Sequence, residues 1–436
     1  MIVMKFGGTS VGNADRITHT VDIIKSYAGK KPVIVVSAVG GITDRLIELA
    51  NAAKGKRKEI LEAIRKIHND IINELGLDES ILEEDFKELD NLINNNKTVD
   101  AEILDQFQTF GERMSSKIVA MQLNKMGVTA QAFNAWDLGF ATTDEFGNAE
   151  PLEETFSNLN NNIKKLNVVP VITGFMGKTK NGEIATLGRG GSDYTAAIIG
   201  NAVDADEIQI WTDVDGIMST DPKIVSNAMP LEEVSFAEAS ELAYFGAKVL
   251  HPKTIIPAMK KNIPVRVLNS FSLKNKGTVI LNKVAKSKHV VKAITYKKNI
   301  IVVNIVSTRM LGAYGFLARI FNTFDKYKKS VDVVSTSEVS VSLTIDNENN
   351  LASIIDEMKD IAIIHVSKGK AIISVVGEGM RNTPGLAGRR FGVLGDNKIN
   401  VEMISQGASG INTTLVVDGK DVVNAVKCLH EEYFGC

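Results

Sequence analysis

Two stretches near the C-terminus repeat one order of elements, and the second copy lacks a piece. NIIVVNIVST (299–308) and AIISVVGEG (371–379) are β-branched runs that read as strands. Each opens a unit that continues helix, strand, turn, strand: GFLARIFNTFDKYKKSVDVVSTSEVSVSLTI in the first, GLAGRRFGVLGDNKINVEMISQGASGINTTLVV in the second. SVDVVS aligns with NVEMIS at an offset of 70 residues, the mark of an internal repeat. The first unit runs on through a short helix at 351–359 to a fourth strand, IAIIHVS; in the second, the last helix runs into EEYFGC without one. An unpaired sheet edge is a liability. HVVKAITYK (289–297), ahead of the first unit, is therefore expected to supply the missing strand and to interlock the two units.

The front of the chain follows another rule. KPVIVVSAVGG (31–41), NVVPVITGFMG (167–177) and ADEIQIWTDVDG (205–216) are apolar strand candidates that end in small or polar residues, with helical stretches between them. That alternation predicts βαβ units, a mostly parallel sheet and ligands at the carboxyl ends of the strands. Residues 44–97 lack strand candidates and read as an inserted helical lobe. Ile103, Phe107, Phe110, Met114, Ile118 and Met121 keep the spacing of a packed helix face.

Composition narrows the function classes. The 436 residues suit two or three domains, and 44% apolar with 23% charged residues is an ordinary globular balance. A net charge of −2 gives nucleic-acid binding no electrostatic support. The two cysteines, Cys428 and Cys436, make neither a disulfide framework nor a metal cluster and suit a reducing compartment. The N-terminus reads as a strand and not as a signal peptide, and no apolar run approaches the roughly 20 residues of a membrane span. A cytoplasmic protein is expected.

Lys5-Phe6-Gly7-Gly8-Thr9-Ser10 follows a strand and precedes a helix expected to be capped near Asn13. The lysine precedes the glycines, so this is not the G-x-x-x-x-G-K-[ST] phosphate loop. Backbone N–H groups, a helix N-terminus and a lysine still favour an anion. A tight strand-to-helix turn would use the same residues. TLGRGGSDYTAA (186–197) follows the hairpin signal Asn181-Gly182 and sets Arg189 among three glycines, with Ser192 and Asp193 opening a helix. An arginine able to grip a carboxylate in two-pronged fashion, with an acid beside it, complements the two α-groups of an amino acid. WTDVDG places Thr212, Asp213 and Asp215 at a strand's carboxyl end. FGAKVLHP (245–252) carries Lys248, which snorkelling alone would explain, and His251, whose place before a proline reads as structural.

Taken in order, KFGGTSV (5–11), SAVGGITD (37–44), FGERMSS (110–116), TLGRGGSDYTAA, WTDVDG and FGAKVLHP resemble the aspartokinase family over essentially the whole chain. The resemblance implies an α/β amino-acid kinase fold, a mostly parallel central sheet flanked by helices, over 1–285. Two interlocked ferredoxin-like βαββαβ ACT domains follow at 299–369 and 371–436. It implies ATP-dependent phosphorylation of the L-aspartate β-carboxylate to 4-phospho-L-aspartate, with Mg²⁺, as the first step of lysine, threonine and methionine biosynthesis.

Carried over by position, the resemblance gives Lys5, Gly7, Gly8 and Ser10 to the ATP phosphates, with Lys248 reaching the nucleotide from the opposite side. Thr212 and Asp213 would meet the nucleoside, and Met218 and Lys223 stand where many members carry Tyr and Arg. Thr43, Glu112, Arg189 and Ser192 would bind aspartate, Arg189 at its α-carboxylate and Glu112 at its α-ammonium. Lys5, Asp193 and Lys248 are the catalytic set, Asp193 organising the lysines; no protein metal ligand is assigned. Met310, Gly315, Phe316, Leu317, Asp332, Ser337 and Glu338 would line an effector pocket. There Asp332 would meet a distal ammonium, favouring lysine over threonine. A homodimer or homotetramer through the ACT domains is expected. Two other readings remain open: a kinase of glutamate, acetylglutamate or carbamate, and a non-catalytic amino-acid sensor.

Overall fold

The computed structural model describes residues 1–95, 98–245, 252–284, 289–310 and 314–435. The expected site Lys248, the histidine His251 and the thiol of Cys436 lie outside the described residues. The chain divides into two compact units: Met1–Ile217 with Glu232–Phe236 and Val249–Lys283, and Met218–Leu231 with Ala237–Lys248 and Val284–Cys436. No helix among the described residues is long and apolar enough to cross a membrane.

The first unit is built on strands β1 (Ile2–Phe6), β2 (Pro32–Val36), β3 (Ala130–Phe133), β4 (Val169–Thr173), β5 (Met176–Lys178), β6 (Ile184–Thr186), β7 (Glu207–Thr212), β8 (Glu233–Ser235), β9 (Val265–Asn269) and β10 (Thr278–Leu281). Eight form one sheet in the order β3-β4-β2-β1-β7-β9-β10-β8, while β5 and β6 pair apart. Every neighbour in the large sheet is parallel except β9 and β10. The central strands β1 and β2 are buried throughout, which explains their near-continuous Val and Ile runs. The expected hairpin is present: β5 and β6 are antiparallel, and Gly182 turns between them at φ 93°.

Helix α1 (Ala14–Ser26) starts at the expected cap, with Arg16 N donating to Asn13 Oδ1 at 2.9 Å. The inserted lobe consists of α2 (Ile42–Asn51), α3 (Lys54–Glu74) and α4 (Glu83–Asn95), followed by the long α5 (Ala101–Lys125). Asp85 of α4 is fully buried and paired with Arg113 at 3.1 Å and Lys117 at 2.6 Å, which fixes the lobe to α5. Phe107, Phe110, Met114 and Ile118 of α5 enter the core as expected; Met121 is 38% exposed, because the stripe at that point has rotated off the packed face. Helices α6 (Glu153–Ile163) and α7 (Gly191–Val203) follow.

The second unit takes α8 (Phe236–Tyr244) from Ala237 onward but not α9 (Pro252–Lys260), which belongs to the first. Its framework is two 14-residue strands, β11 (Ala293–Val306) and β14 (Ile363–Val376). With β12 (Val334–Thr336), β13 (Ser340–Ile345), β15 (Val401–Ser405) and β16 (Asn412–Asp418) they make a sheet ordered β12-β13-β11-β14-β16-β15. The two repeats share the long strands. Val302–Val306 run against Ile363–Ser367, while Ala293–Lys297 run against Ile372–Val376, with register shifts between the halves. The strand that closes the second repeat thus precedes the first, and the units interlock. Helices α10 (Phe316–Lys326) and α11 (Leu351–Met358) serve the first repeat; α12 (Leu386–Asp396) and α13 (Val422–Phe434) serve the second.

The boundary expected at residue 285 differs from these units. Residues 218–231 and 237–245 lie before it in sequence but pack with the repeats. Val225 is buried in the cluster that holds Leu386 and Leu394. Ser219 Oγ lies 2.9 Å from His430 Nε2, and the Tyr296 hydroxyl donates to Asp221 Oδ2 at 2.9 Å.

Candidate active site

A cavity of about 610 Å³ opens at the carboxyl ends of the parallel strands of the first unit. Lys5, near the end of β1, sits in register between Val35 of β2 and Ile210 of β7. Its Nζ lies 2.6 Å from Asp193 Oδ1, and both side chains are largely buried. Two charges taken out of water need partners, and here each partners the other at the cavity wall.

The turns after β1 and β2 press together. Gly40 N donates to Gly8 O at 3.1 Å, and a Cβ on Gly8 would stand 2.7 Å from Ala38 O, so only glycine fits. The first turns of α2 and α7 both line the cavity, α7 entered through Gly190 at φ 73°. The unsatisfied N–H groups of two helix starts, beside Lys5, favour an anion there.

Glu112 reaches the same cavity from α5. It is 4% exposed, its Oε2 has no hydrogen-bond partner among the described residues, and burial pushes its carboxyl up to about 8. Thr43, Arg189 and Ser192 also line it. Arg189 is exposed, and among the described residues no hydrogen bond or ion pair engages its guanidinium. A free guanidinium and a buried carboxyl with one oxygen lacking a hydrogen bond, in one cavity, match a carboxylate and an ammonium on one ligand.

Other expected nucleotide residues are placed elsewhere. Ser10 is 1% exposed and turns its hydroxyl to Ser270 Oγ at 2.9 Å, away from the cavity lining. Gly7 donates its N–H to Trp211 O at 3.1 Å. Thr212 ends β7, where its carbonyl accepts from Ser270 N at 2.8 Å and its hydroxyl donates to Asp213 Oδ1 at 3.2 Å. Met218 and Lys223 belong to the second unit.

Two cavity features were missed in the sequence. Phe175 lines the cavity at φ 76°, a backbone region that bulky residues rarely adopt outside functional sites. Asp105, about two helical turns before Glu112, is 1% exposed and accepts from Thr186 N, Thr186 Oγ1 and Gly147 N at 2.7, 2.8 and 2.8 Å. Thr186 and Gly147 both line the cavity. No motif flags a lone acid in a helix, although an aspartate on an apolar face is the available signal.

In the second unit, Gly315 caps α10 at φ 76°, while Phe316 and Met310 join one apolar cluster. Leu317 is 42% exposed, and Ser337 and Glu338 lie in the exposed turn between β12 and β13. The Asp332 side chain is 6% exposed, with Lys297 Nζ at 3.0 Å and the Tyr244 hydroxyl at 2.8 Å.

Residues 1–269 match the amino acid kinase family, and residues 303–352 and 373–433 match an ACT domain. Chloroplastic aspartokinase 3 of Arabidopsis thaliana is 41% identical over 99% of this chain and 81% of its own length. The lysine-sensitive aspartokinase 3 of Escherichia coli is 37% identical over 100% of this chain and 99% of its own length. The chain belongs to the aspartokinase family. A crystal structure of E. coli aspartokinase III in complex with aspartate and ADP, in its R-state, superposes with a TM-score of 0.87 at 35% identity, covering 100% of both chains. Family membership accounts for both halves of the architecture, a kinase sheet with its cavity and a pair of interlocked ACT repeats.

Proposed function

We propose that the chain transfers the γ-phosphoryl group of ATP to the β-carboxylate of L-aspartate, giving 4-phospho-L-aspartate, and that L-lysine inhibits it. The observation that carries this reading is the pairing of a free Arg189 with the buried Glu112, whose Oε2 has no hydrogen-bond partner among the described residues, in one cavity beside the Lys5–Asp193 pair. Arg189 takes the α-carboxylate and Glu112 the α-ammonium, with Thr43 and Ser192 at the remaining wall. That leaves the β-carboxylate facing the turns after β1 and β2.

The attacking carboxylate is ionised at neutral pH, so no general base is needed. Catalysis is then the task of holding two anions in line and offsetting the charge that spreads over the transferred group. Lys5 and the backbone at Gly8 serve the phosphates, and Asp193 holds the Lys5 ammonium in place. The Ser10 hydroxyl, bound to Ser270, supports this turn from beneath. Thr212 and Asp213 serve the nucleoside, and Lys248, Met218 and Lys223 are the other positions that the family resemblance gives to the nucleotide. Mg²⁺ bound with the nucleotide would supply the remaining charge neutralisation.

The product feeds lysine, threonine and methionine synthesis in the cytoplasm. A homodimer or homotetramer through the ACT domains is supported by Leu317 and Phe321, exposed one turn apart on α10. The pocket of Met310, Gly315, Phe316, Leu317, Asp332, Ser337 and Glu338 receives the effector. The test is ADP release with L-aspartate, L-glutamate or N-acetylglutamate as sole acceptor. Turnover with L-aspartate alone supports the reading, and preference for another carboxylate removes it.

A further inference from the structure

Asp332, the acid assigned above to the effector's side-chain ammonium, already carries an ammonium of the chain itself. Lys297 Nζ lies 3.0 Å from Asp332 Oδ2 and 2.5 Å from Asp346 Oδ1. The two acids differ in setting: the Asp332 side chain is 6% exposed and that of Asp346 48%. Lys297 comes from the half of β11 that closes the other repeat, at the point where its register with β14 shifts.

The second repeat builds the same arrangement. Lys370 Nζ lies 2.6 Å from Glu402 Oε1 and 3.4 Å from Asp418 Oδ2. Glu402 stands where the repeat places Asp332, Asp418 ends β16 as Asp346 follows β13, and Lys370 lies on β14 as Lys297 lies on β11. The balance within each group is opposite. Lys370 is closer to the acid at the effector position, whereas Lys297 is closer to the outer, half-exposed acid.

We infer that Lys297 is a tethered occupant of the effector's ammonium position, and that its exchange between Asp332 and Asp346 sets how tightly a cationic amino acid binds. The inference rests on the effector reading proposed above. An arriving ammonium takes Asp332, and Lys297 remains on Asp346, which is already its nearer partner. No charge is left buried alone at either stage, which is what makes the exchange feasible. In the second repeat Lys370 stays on Glu402, and that position remains filled. Tyr244, at the end of α8, donates to Asp332 Oδ1 and feels the exchange directly.

The test measures the L-lysine concentration giving half-inhibition, each variant scaled to its own uninhibited rate, together with the thermal midpoint shift at saturating L-lysine. Lys297→Met removes the competitor, and the half-inhibitory concentration should fall by about fivefold or more, with a larger thermal shift, within the usual range of such couplings. Asp346→Asn removes the outer acid, holds Lys297 on Asp332, and should raise it by a similar factor. Where the Met variant does not fold, Lys297→Gln takes its place with the same expected direction. Inhibition of the wild type by L-lysine with unchanged or weaker sensitivity in the Lys297 variant overturns the inference, as does an unchanged Asp346→Asn. A wild type that L-lysine neither inhibits nor shifts thermally removes the effector reading itself, and this inference with it.

Discussion

Asp105 accepts both hydrogen bonds that Thr186 can donate, from its backbone N–H at 2.7 Å and its hydroxyl at 2.8 Å. A third, from Gly147 N, completes the set. Asp105 and Glu112 lie seven residues apart on α5, so this carboxylate ties the strand leading to Arg189 to the helix carrying Glu112. Asp105→Ala leaves the Thr186 and Gly147 donors without their acceptor, at about 1–3 kcal/mol. The KM for L-aspartate should rise about tenfold with that for ATP within about twofold, a split that steady-state kinetics reads directly.

Lys5→Ala removes a preorganised charge from the cavity and leaves Asp193 without its 2.6 Å partner. A fall in kcat of at least roughly 100-fold is expected. Near-normal turnover would remove Lys5 from the phosphate contacts.

Burial holds the Glu112 carboxyl at about 8, well above its ordinary value, so in the free enzyme it is mostly protonated at pH 7. An ammonium that docks on the carboxylate must expel that proton. The kcat/KM for L-aspartate should therefore rise with pH until about 8 and level off above it, since this ratio reports the free enzyme. Glu112→Gln should lose the step and hold a weak, pH-independent KM across the same range.

Gly8→Ala places a Cβ 2.7 Å from Ala38 O, against backbone that cannot yield cheaply. The turns after β1 and β2 must part, at about 1–3 kcal/mol of stability. Chemical denaturation measures the loss, and kcat should fall with it because the same turns face the phosphates.

Much of this was legible in local pattern. The alternation of Val- and Ile-rich runs with helical stretches marks the parallel sheet, and Asn181-Gly182 marks the β5–β6 hairpin. The missing fourth strand of the second repeat pointed to residues 289–297, and Ala293–Lys297 lie against Ile372–Val376. Arg189, Ser192, Asp193, Thr43 and Glu112 come from three separate motifs and line one cavity. What escaped depends on long-range packing. Asp105 and Lys297 are ordinary charged residues by composition, and only their burial against specific partners gives them a role. The transfer of residues 218–231 to the second unit follows from Val225 filling a distant core, which no local spacing records. Ser10 reads as a phosphate ligand beside two glycines until Ser270, 260 residues on, takes its hydroxyl.

The most direct measurement is hydroxamate formation from L-aspartate and ATP in the presence of hydroxylamine, which traps an acyl phosphate, run with and without L-lysine. Hydroxamate should form only with both substrates, disappear in Arg189→Ala at ordinary aspartate concentrations, and be suppressed by L-lysine. No hydroxamate from L-aspartate, with hydroxamate from another carboxylate, would contradict L-aspartate as the acceptor.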